Sequence, residues 1–92
     1  MIDPSSRFAL ASDVRYRVVD GEAVVVLQKS AEVLGLNGTG SRAFDLAARG
    51  SAFGEIVDDL GGELDVERAE LERDLRAFFD LLLADGLLQV SP

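Results

Sequence analysis

The hydrophobic residues of this sequence change their period once, near Asn37. Before that point the apolar residues follow strand patterns, an alternating segment and then a β-branched run. After it, apolar residues recur every three or four positions, as they do along one side of a helix. Strands followed by helices indicate an α+β fold. With 92 residues, the chain has the length of one small domain.

Three short strands are predicted before Asn37. The segment "DVRYRVV" (13–19) alternates apolar and basic residues, which favours a strand with one wet face. Asp20–Gly21 is a strong hairpin signal, and "AVVVLQ" (23–28) is a mostly β-branched run typical of a central strand. A short turn leads to "EVLGL" (32–36), so we expect an antiparallel meander with this third strand at its edge.

Three helices are predicted after the strands. Asn37 or Thr39 is suited to cap a first helix of about ten residues, which is expected to end near Arg49–Gly50. Ser51 is suited to cap the second helix, and Gly61–Gly62 is expected to end it. The glycines that follow Asn37 allow the chain to turn from strand to helix without a steric cost.

The third predicted helix, 66–84 with Asp65 as its cap, is the longest and most apolar of the three. One stripe along it is formed by Leu71, Leu75, Phe78 and Leu82. The apolar surface is widened by Phe79, Leu81 and Leu83. The helix is therefore either central in a small core or has a surface that a partner covers.

The two ends of the chain give weaker signals. Residues 1–12 lack periodicity and include Pro4, so we expect a flexible N-terminal tail. Residues 13–90 are expected to form the single domain, with "LLQV" (87–90) docked as an extended segment. Because no apolar segment resembles a membrane span or a signal peptide, we expect a cytoplasmic protein without membrane association.

The charge of the chain is unevenly distributed. The formal net charge is −8, and residues 43–92 carry four basic and twelve acidic side chains, which accounts for the whole imbalance. Such a surface repels phosphate backbones. Nucleic acid is therefore not an expected partner.

The composition offers little for catalysis. The sequence contains neither Cys nor His, which removes the thiol nucleophile, the commonest general base and the commonest metal ligand. The acidic residues of the third predicted helix are typical of a solvated face rather than of a metal site. The segment "GLNGTG" (35–40) lacks the lysine and the glycine spacing of phosphate-binding loops. We therefore expect no enzymatic activity, no metal and no cofactor.

The predicted edge strand, 32–36, suggests a binding function. An edge strand presents unpaired N–H and C=O groups, and this one is short and apolar with Glu32 as its only charge. If the long helix lies beside it, the two elements form a cleft that takes a peptide by strand addition. The alternative is an edge covered by the N-terminal tail or by a second copy of the chain.

Four short patterns, in this order and spacing, match a known family. They are "LN" at Leu36–Asn37 followed by a small-residue turn, G-x-x-x-x-x-I-V-x-x-L at Gly50–Leu60, D-L-x-x-F-F-x-x-L at Asp74–Leu82, and "GLL" at Gly86–Leu88. Over roughly residues 14–90, the sequence resembles the PqqD family of peptide chaperones, also called RiPP recognition elements, whose partners are ribosomally made and later modified peptides.

The resemblance implies a winged-helix-like module, a three-stranded antiparallel sheet followed by three helices, that binds the leader of a precursor peptide as an added strand. It implies that this leader is presented to a modifying enzyme such as a radical SAM protein, a cyclase or a protease. The residues to which peptide contacts carry over are Glu32, Val33, Leu34, Gly35 and Leu36 in the strand and Arg68, Leu71, Leu75, Arg76 and Phe79 in the helix. The two arginines are included because they would pair with an acidic leader.

Two other functions remain open from the sequence. An acidic winged-helix transcription regulator would share the fold, although the negative charge of the last helix disfavours insertion into a DNA groove. A structural homodimer, or a subunit of an enzyme complex, would bury the apolar excess of the third helix against its partner.

Overall fold

The computed structural model describes residues 2–91. In that range the elements follow in the order β1 (Phe8–Leu10), β2 (Val14–Val19), β3 (Glu22–Leu27), β4 (Glu32–Gly35), α1 (Gly38–Ala48), α2 (Phe53–Glu63), α3 (Arg68–Ala84) and β5 (Leu88–Val90). Strands β2, β3 and β4 form an antiparallel sheet in that order, while β1 and β5 form a separate antiparallel pair. The predicted α+β fold, a three-stranded meander followed by three helices, is confirmed. No helix in the described range is long and apolar enough to cross a membrane.

The core lies between the inner face of the three-stranded sheet and the helices. On the sheet side Val14 and Val25 are fully buried, and Tyr16 packs edge-on against Phe44 of α1 with their ring centroids 5.1 Å apart. Deeper in the core, Phe79 of α3 has no exposed surface. Aromatic rings at such distances add to the free energy gained by burying their area.

The prediction of a flexible N-terminal tail is wrong for the described residues of that segment; Met1 lies outside them. Ile2 and Phe8 are each only 3% exposed, and the Phe8 ring stacks on Phe79 at 4.8 Å between centroids. Strand β1 pairs with β5, so Phe8 lies opposite Val90. Burial of two large apolar side chains holds this segment in place, and the folded unit therefore begins before Asp13.

The N-terminal segment also caps α2. The carbonyl of Ser6 accepts a hydrogen bond from the amide of Phe53 at 2.8 Å, and the carbonyl of Pro4 accepts one from Gly54 at 2.9 Å. These are amides that a helix start leaves without an intrahelical partner. Backbone carbonyls therefore replace the predicted Ser51 side-chain cap, and the residue at the cap position is Ala52.

Two further helix boundaries differ from the prediction. Helix α2 continues through the glycine pair to Glu63, whose carboxylate pairs with Arg42 of α1, with 3.2 Å between Arg42 Nε and Glu63 Oε1. Helix α3 begins at Arg68, with Glu67 rather than Asp65 at the cap position. Glycine lowers helix stability by only about 1 kcal/mol relative to alanine, so packing of α2 against its neighbours decides where it ends.

Candidate functional site

Strand β4 pairs with β3 on one side, and in the described part of the chain nothing pairs with its other side. The amide of Leu36, just beyond β4, donates to the carbonyl of Ala23 at 3.0 Å. Because hydrogen-bonded and non-bonded residues alternate along an antiparallel pair, Leu34 also directs its N–H and C=O toward β3. Val33 and Gly35 therefore direct theirs outward, and we call this row of outward groups the free edge.

The side chains of β4 are more exposed than those of the other strands in the sheet. Val33 is 64% exposed and Leu34 is 38% exposed. Leu34 lies opposite the buried Val25 on the inner face of the sheet, and Val33 lies opposite Val26 on the outer face. An exposed apolar edge of this kind is one that proteins usually cover or use.

The corner that follows β4 is fixed by two side-chain hydrogen-bond sets. Oδ1 of Asn37 accepts from the amide of Gly40 at 2.7 Å, which confirms Asn37 as the cap of α1. The Ser41 hydroxyl, 2% exposed, accepts from the amide of Ala23 at 2.7 Å and donates to the carbonyl of Leu36 at 3.0 Å. Ser41 therefore bridges β3 and β4 where the two strands diverge, so the end of β4 is held in place.

A groove of about 320 Å³ lies next to β4 along the chain, from Asn37 onward, between the start of α1 and one side of α3. Its lining is formed by Asn37, Thr39, Gly40, Leu64, Val66, Glu70, Leu71, Asp74, Leu75 and Phe78. Buried Leu71 and Leu75 form its floor, and the half-buried ring of Phe78 lies at the end near α1. The carboxylates of Glu70 and Asp74 are exposed at its rim.

The strand and helix residues predicted as a site are only partly brought together. None of residues 32–36 lines the groove, and β4 leads to it through Asn37. Leu71 and Leu75 do line it. The free edge and the groove are therefore neighbours along the chain rather than two walls of one cleft.

The other three predicted helix residues lie elsewhere. Nη2 of Arg68 is 2.6 Å from Oδ1 of Asp58 in α2. The Arg76 guanidinium donates to the Ile2 carbonyl and lies 5.0 Å from the centre of the Phe53 ring. Both arginines therefore have partners within the chain, and the Arg68 pair is exposed to solvent whereas Arg76 is half-buried.

The third of them, Phe79, is a core residue. It has no exposed surface and packs between the rings of Phe8 and Phe53. The groove receives its neighbour Phe78 instead. Adjacent helix positions point about 100° apart, so Phe79 lies within the core while Phe78 packs at its margin beside the groove. Periodicity alone did not decide which of the two is fully buried.

Sequence reasoning did not assign Glu70 and Asp74 to the site. Together with Phe78 they follow at intervals of four residues, which places them along one line of a helix surface. That spacing was a signal available in the sequence. Its meaning depended on knowing that this line borders the groove beside the start of α1.

Comparison with known proteins gives a consistent result. Residues 22–88 match the family model described as coenzyme PQQ synthesis protein D (PqqD). A solved structure of TbiB1 in complex with the TbiA(β) leader peptide is 33% identical, with a TM-score of 0.83, and the match covers 88% of this chain and 94% of that one. A lasso peptide synthetase B1 complexed with the leader peptide is 25% identical, with a TM-score of 0.82 and coverage of 90% and 98%. No curated protein matches the sequence.

Proposed function

This chain belongs to the PqqD family, and we propose that it is a peptide chaperone that binds the leader of a ribosomally synthesised precursor peptide. The leader adds as a strand to the free edge of β4 and continues into the groove beside α3. The chain acts as the binding partner of a modifying enzyme, such as a radical SAM protein, a cyclase or a protease, rather than as the catalyst. In this role it works in the cytoplasm, where ribosomes make the precursor.

The observation that carries the proposal is the free edge itself. Val33 and Gly35 offer two amides and two carbonyls that β3 does not use, and an apolar groove follows directly. An extended peptide satisfies backbone groups of this kind by strand addition. Support also comes from the two similar structures, each of which is a complex with a leader peptide.

The edge and the groove contribute differently to binding. Four backbone hydrogen bonds at a net ~0.5–1.5 kcal/mol each provide about 2–6 kcal/mol. Association of two molecules costs about 4–15 kcal/mol, so these bonds do not suffice for stable binding. Apolar burial against Leu71, Leu75 and Phe78 has to supply the rest. The edge therefore sets the register of the leader, and the groove supplies much of the affinity.

Substitution of Gly35 tests the proposal with little risk to the fold. Gly35→Pro removes an amide that β3 does not use, and proline is tolerated in edge strands. Gly35→Ala is the matched control, because it keeps the amide and its methyl group meets no atom within 4 Å. The probe is a synthetic TbiA(β) leader peptide, the ligand of one of the similar structures, and affinity is measured by isothermal titration calorimetry.

We expect Gly35→Pro to weaken binding about tenfold or more, since it removes a hydrogen bond and places a ring in the path of the added strand. Gly35→Ala should bind nearly as the original chain does. Equal affinity of the two variants would contradict strand addition at β4.

Light scattering of the free chain accompanies the titration, because a homodimer that pairs two β4 edges would show twice the monomer mass and would dissociate as peptide binds.

A further inference from the structure

The charged residues that line the groove are all acidic, and this charge affects which peptides the groove can bind. Two of its lining residues, Glu70 and Asp74, carry negative charge, and none of its lining residues is basic. Both carboxylates lie on the same side of α3 because they are four residues apart. A peptide that enters the groove therefore passes a pair of negative charges directly above an apolar floor.

The neighbouring arginines do not cancel this charge. Arg68 is two residues from Glu70 and Arg76 is two residues from Asp74, and residues two apart on a helix point about 200° away from each other. Arg68 is directed toward Asp58 of α2. Nε of Arg73 is 3.7 Å from Oδ1 of Asp74, but both side chains are largely exposed. A solvent-exposed pair of this kind contributes little and exchanges easily. In the described part of the chain, Glu70 has no ion-pair partner.

Resting on the proposed peptide binding, we infer that the segment held in the groove carries a lysine or arginine beside an apolar side chain. The apolar side chain packs on Leu71, Leu75 and Phe78, and the cation reaches Glu70 and Asp74. The inferred peptide is basic, whereas the sequence suggested an acidic leader. That expectation depended on Arg68 and Arg76 being free to bind the leader.

The test uses the full chain as bait and a phage-displayed library of random short peptides as the probe. Selections are run in parallel on the original chain and on the double variant Glu70→Gln/Asp74→Asn, which keeps the shape of the rim and removes its charge. The matched control is Glu22→Gln/Asp80→Asn, which changes the net charge equally at exposed positions outside the groove. A fourth selection on Gly35→Pro identifies the peptides that depend on the free edge.

Peptides enriched on the original chain should share a Lys or Arg near an apolar residue, and this preference should vanish on the Glu70/Asp74 variant but persist on the Glu22/Asp80 control. For one such peptide, neutralising the rim should weaken binding about threefold to tenfold, the range expected for two exposed ion pairs. The remaining affinity should depend less on salt. A version of that peptide with Ala in place of its cation should bind the original chain and the rim variant equally.

Two results would overturn the inference, and they are distinguishable. If enriched peptides depend on the Gly35 amide but show no preference for basic residues, the charge assignment is wrong while the peptide-binding function stands. If no peptide is enriched, or if enrichment is indifferent to Gly35→Pro, binding at the free edge fails and the charge assignment fails with it.

Discussion

Gly40 lies in the first turn of α1, between the side chain of Asn37 and the Phe78 ring of α3. A Cβ atom at this position would be 3.0 Å from Oδ1 of Asn37 and 3.2 Å from Cζ of Phe78. Both distances are shorter than ordinary van der Waals contact. Glycine therefore allows the Asn37 cap and the Phe78 packing to coexist, which links the local turn to the shape of the groove.

Alanine at Gly40 should disturb both features. Gly40→Ala is expected to lower the free energy of unfolding by about 1 kcal/mol relative to Gly38→Ala, the value of one N-cap interaction. Gly38 is the matched control because a methyl group there meets no atom within 4 Å. Urea denaturation measures both variants, and equal stabilities would show that the Gly40 contacts are not restrictive.

Tyr16, the one tyrosine of the sequence, gives the stability a specific pH dependence. Its hydroxyl donates to Oδ1 of Asp45 at 2.7 Å, and partial burial together with that hydrogen bond raises the pKa of the phenol above its ordinary value. The folded state thus retains the proton to higher pH than the unfolded state. Stability from this source is complete below about pH 10 and is lost as the pH rises through the raised pKa.

The Tyr16→Phe variant should therefore lose less free energy of unfolding than the original chain as the pH is raised. In urea denaturation, the original chain is expected to lose more free energy of unfolding than the variant between about pH 9 and pH 11. Parallel pH curves for the two proteins would contradict the assignment.

At the scale of elements, strands β1 and β5 come from opposite ends of the chain, pair with each other and contribute buried residues to the core. Phe8 of β1 stacks on Phe79 of α3 and is 3% exposed. Phe8→Ala should cost about 3 kcal/mol or more, the usual loss for a buried phenylalanine. Leu10→Ala, at a half-buried position of the same strand, should cost clearly less. Urea denaturation that gave equal losses would place β1 outside the core.

The elements that the sequence predicted are those with a local signal. Alternation and the Asp20–Gly21 turn located β2 and β3, and the change of period at Asn37 located α1. Strand β1 had no such signal, because its three residues are too few for a period and its partner β5 lies at the other end of the chain. Helix α2 passed through its glycines because tertiary packing outweighs a local propensity.

The geometry of the candidate site was predictable to a similar extent. The free edge followed from the order of the strands, and Leu71 and Leu75 followed from helical periodicity. The roles of the two arginines did not, because their partners are a side chain on α2 and a carbonyl and a ring far away in the sequence. The sequence shows which residues share a helix side, and only the packed structure shows what each side faces.

At the scale of the whole molecule, the outer edge of β4 is unpaired in the described part of the chain, and the end of that strand is fixed by side-chain hydrogen bonds. Ser41 and Asn37 fix the end of β4, the helices fix the groove, and the net charge of −8 favours basic partners over nucleic acid. An added leader would make the sheet four-stranded. Its alternate side chains would then lie on the two faces of that sheet, one set on the side of the helices and the other on the outer face, where a modifying enzyme would reach it.

Strand addition is tested most directly by amide hydrogen exchange of single residues in β4, measured by NMR with and without the precursor leader. The amides of Val33 and Gly35 should exchange rapidly in the free chain and become protected in the complex, while Leu34, already bonded to β3, should be protected in both states. Binding of the leader without new protection at Val33 and Gly35 would contradict the proposed mode of binding.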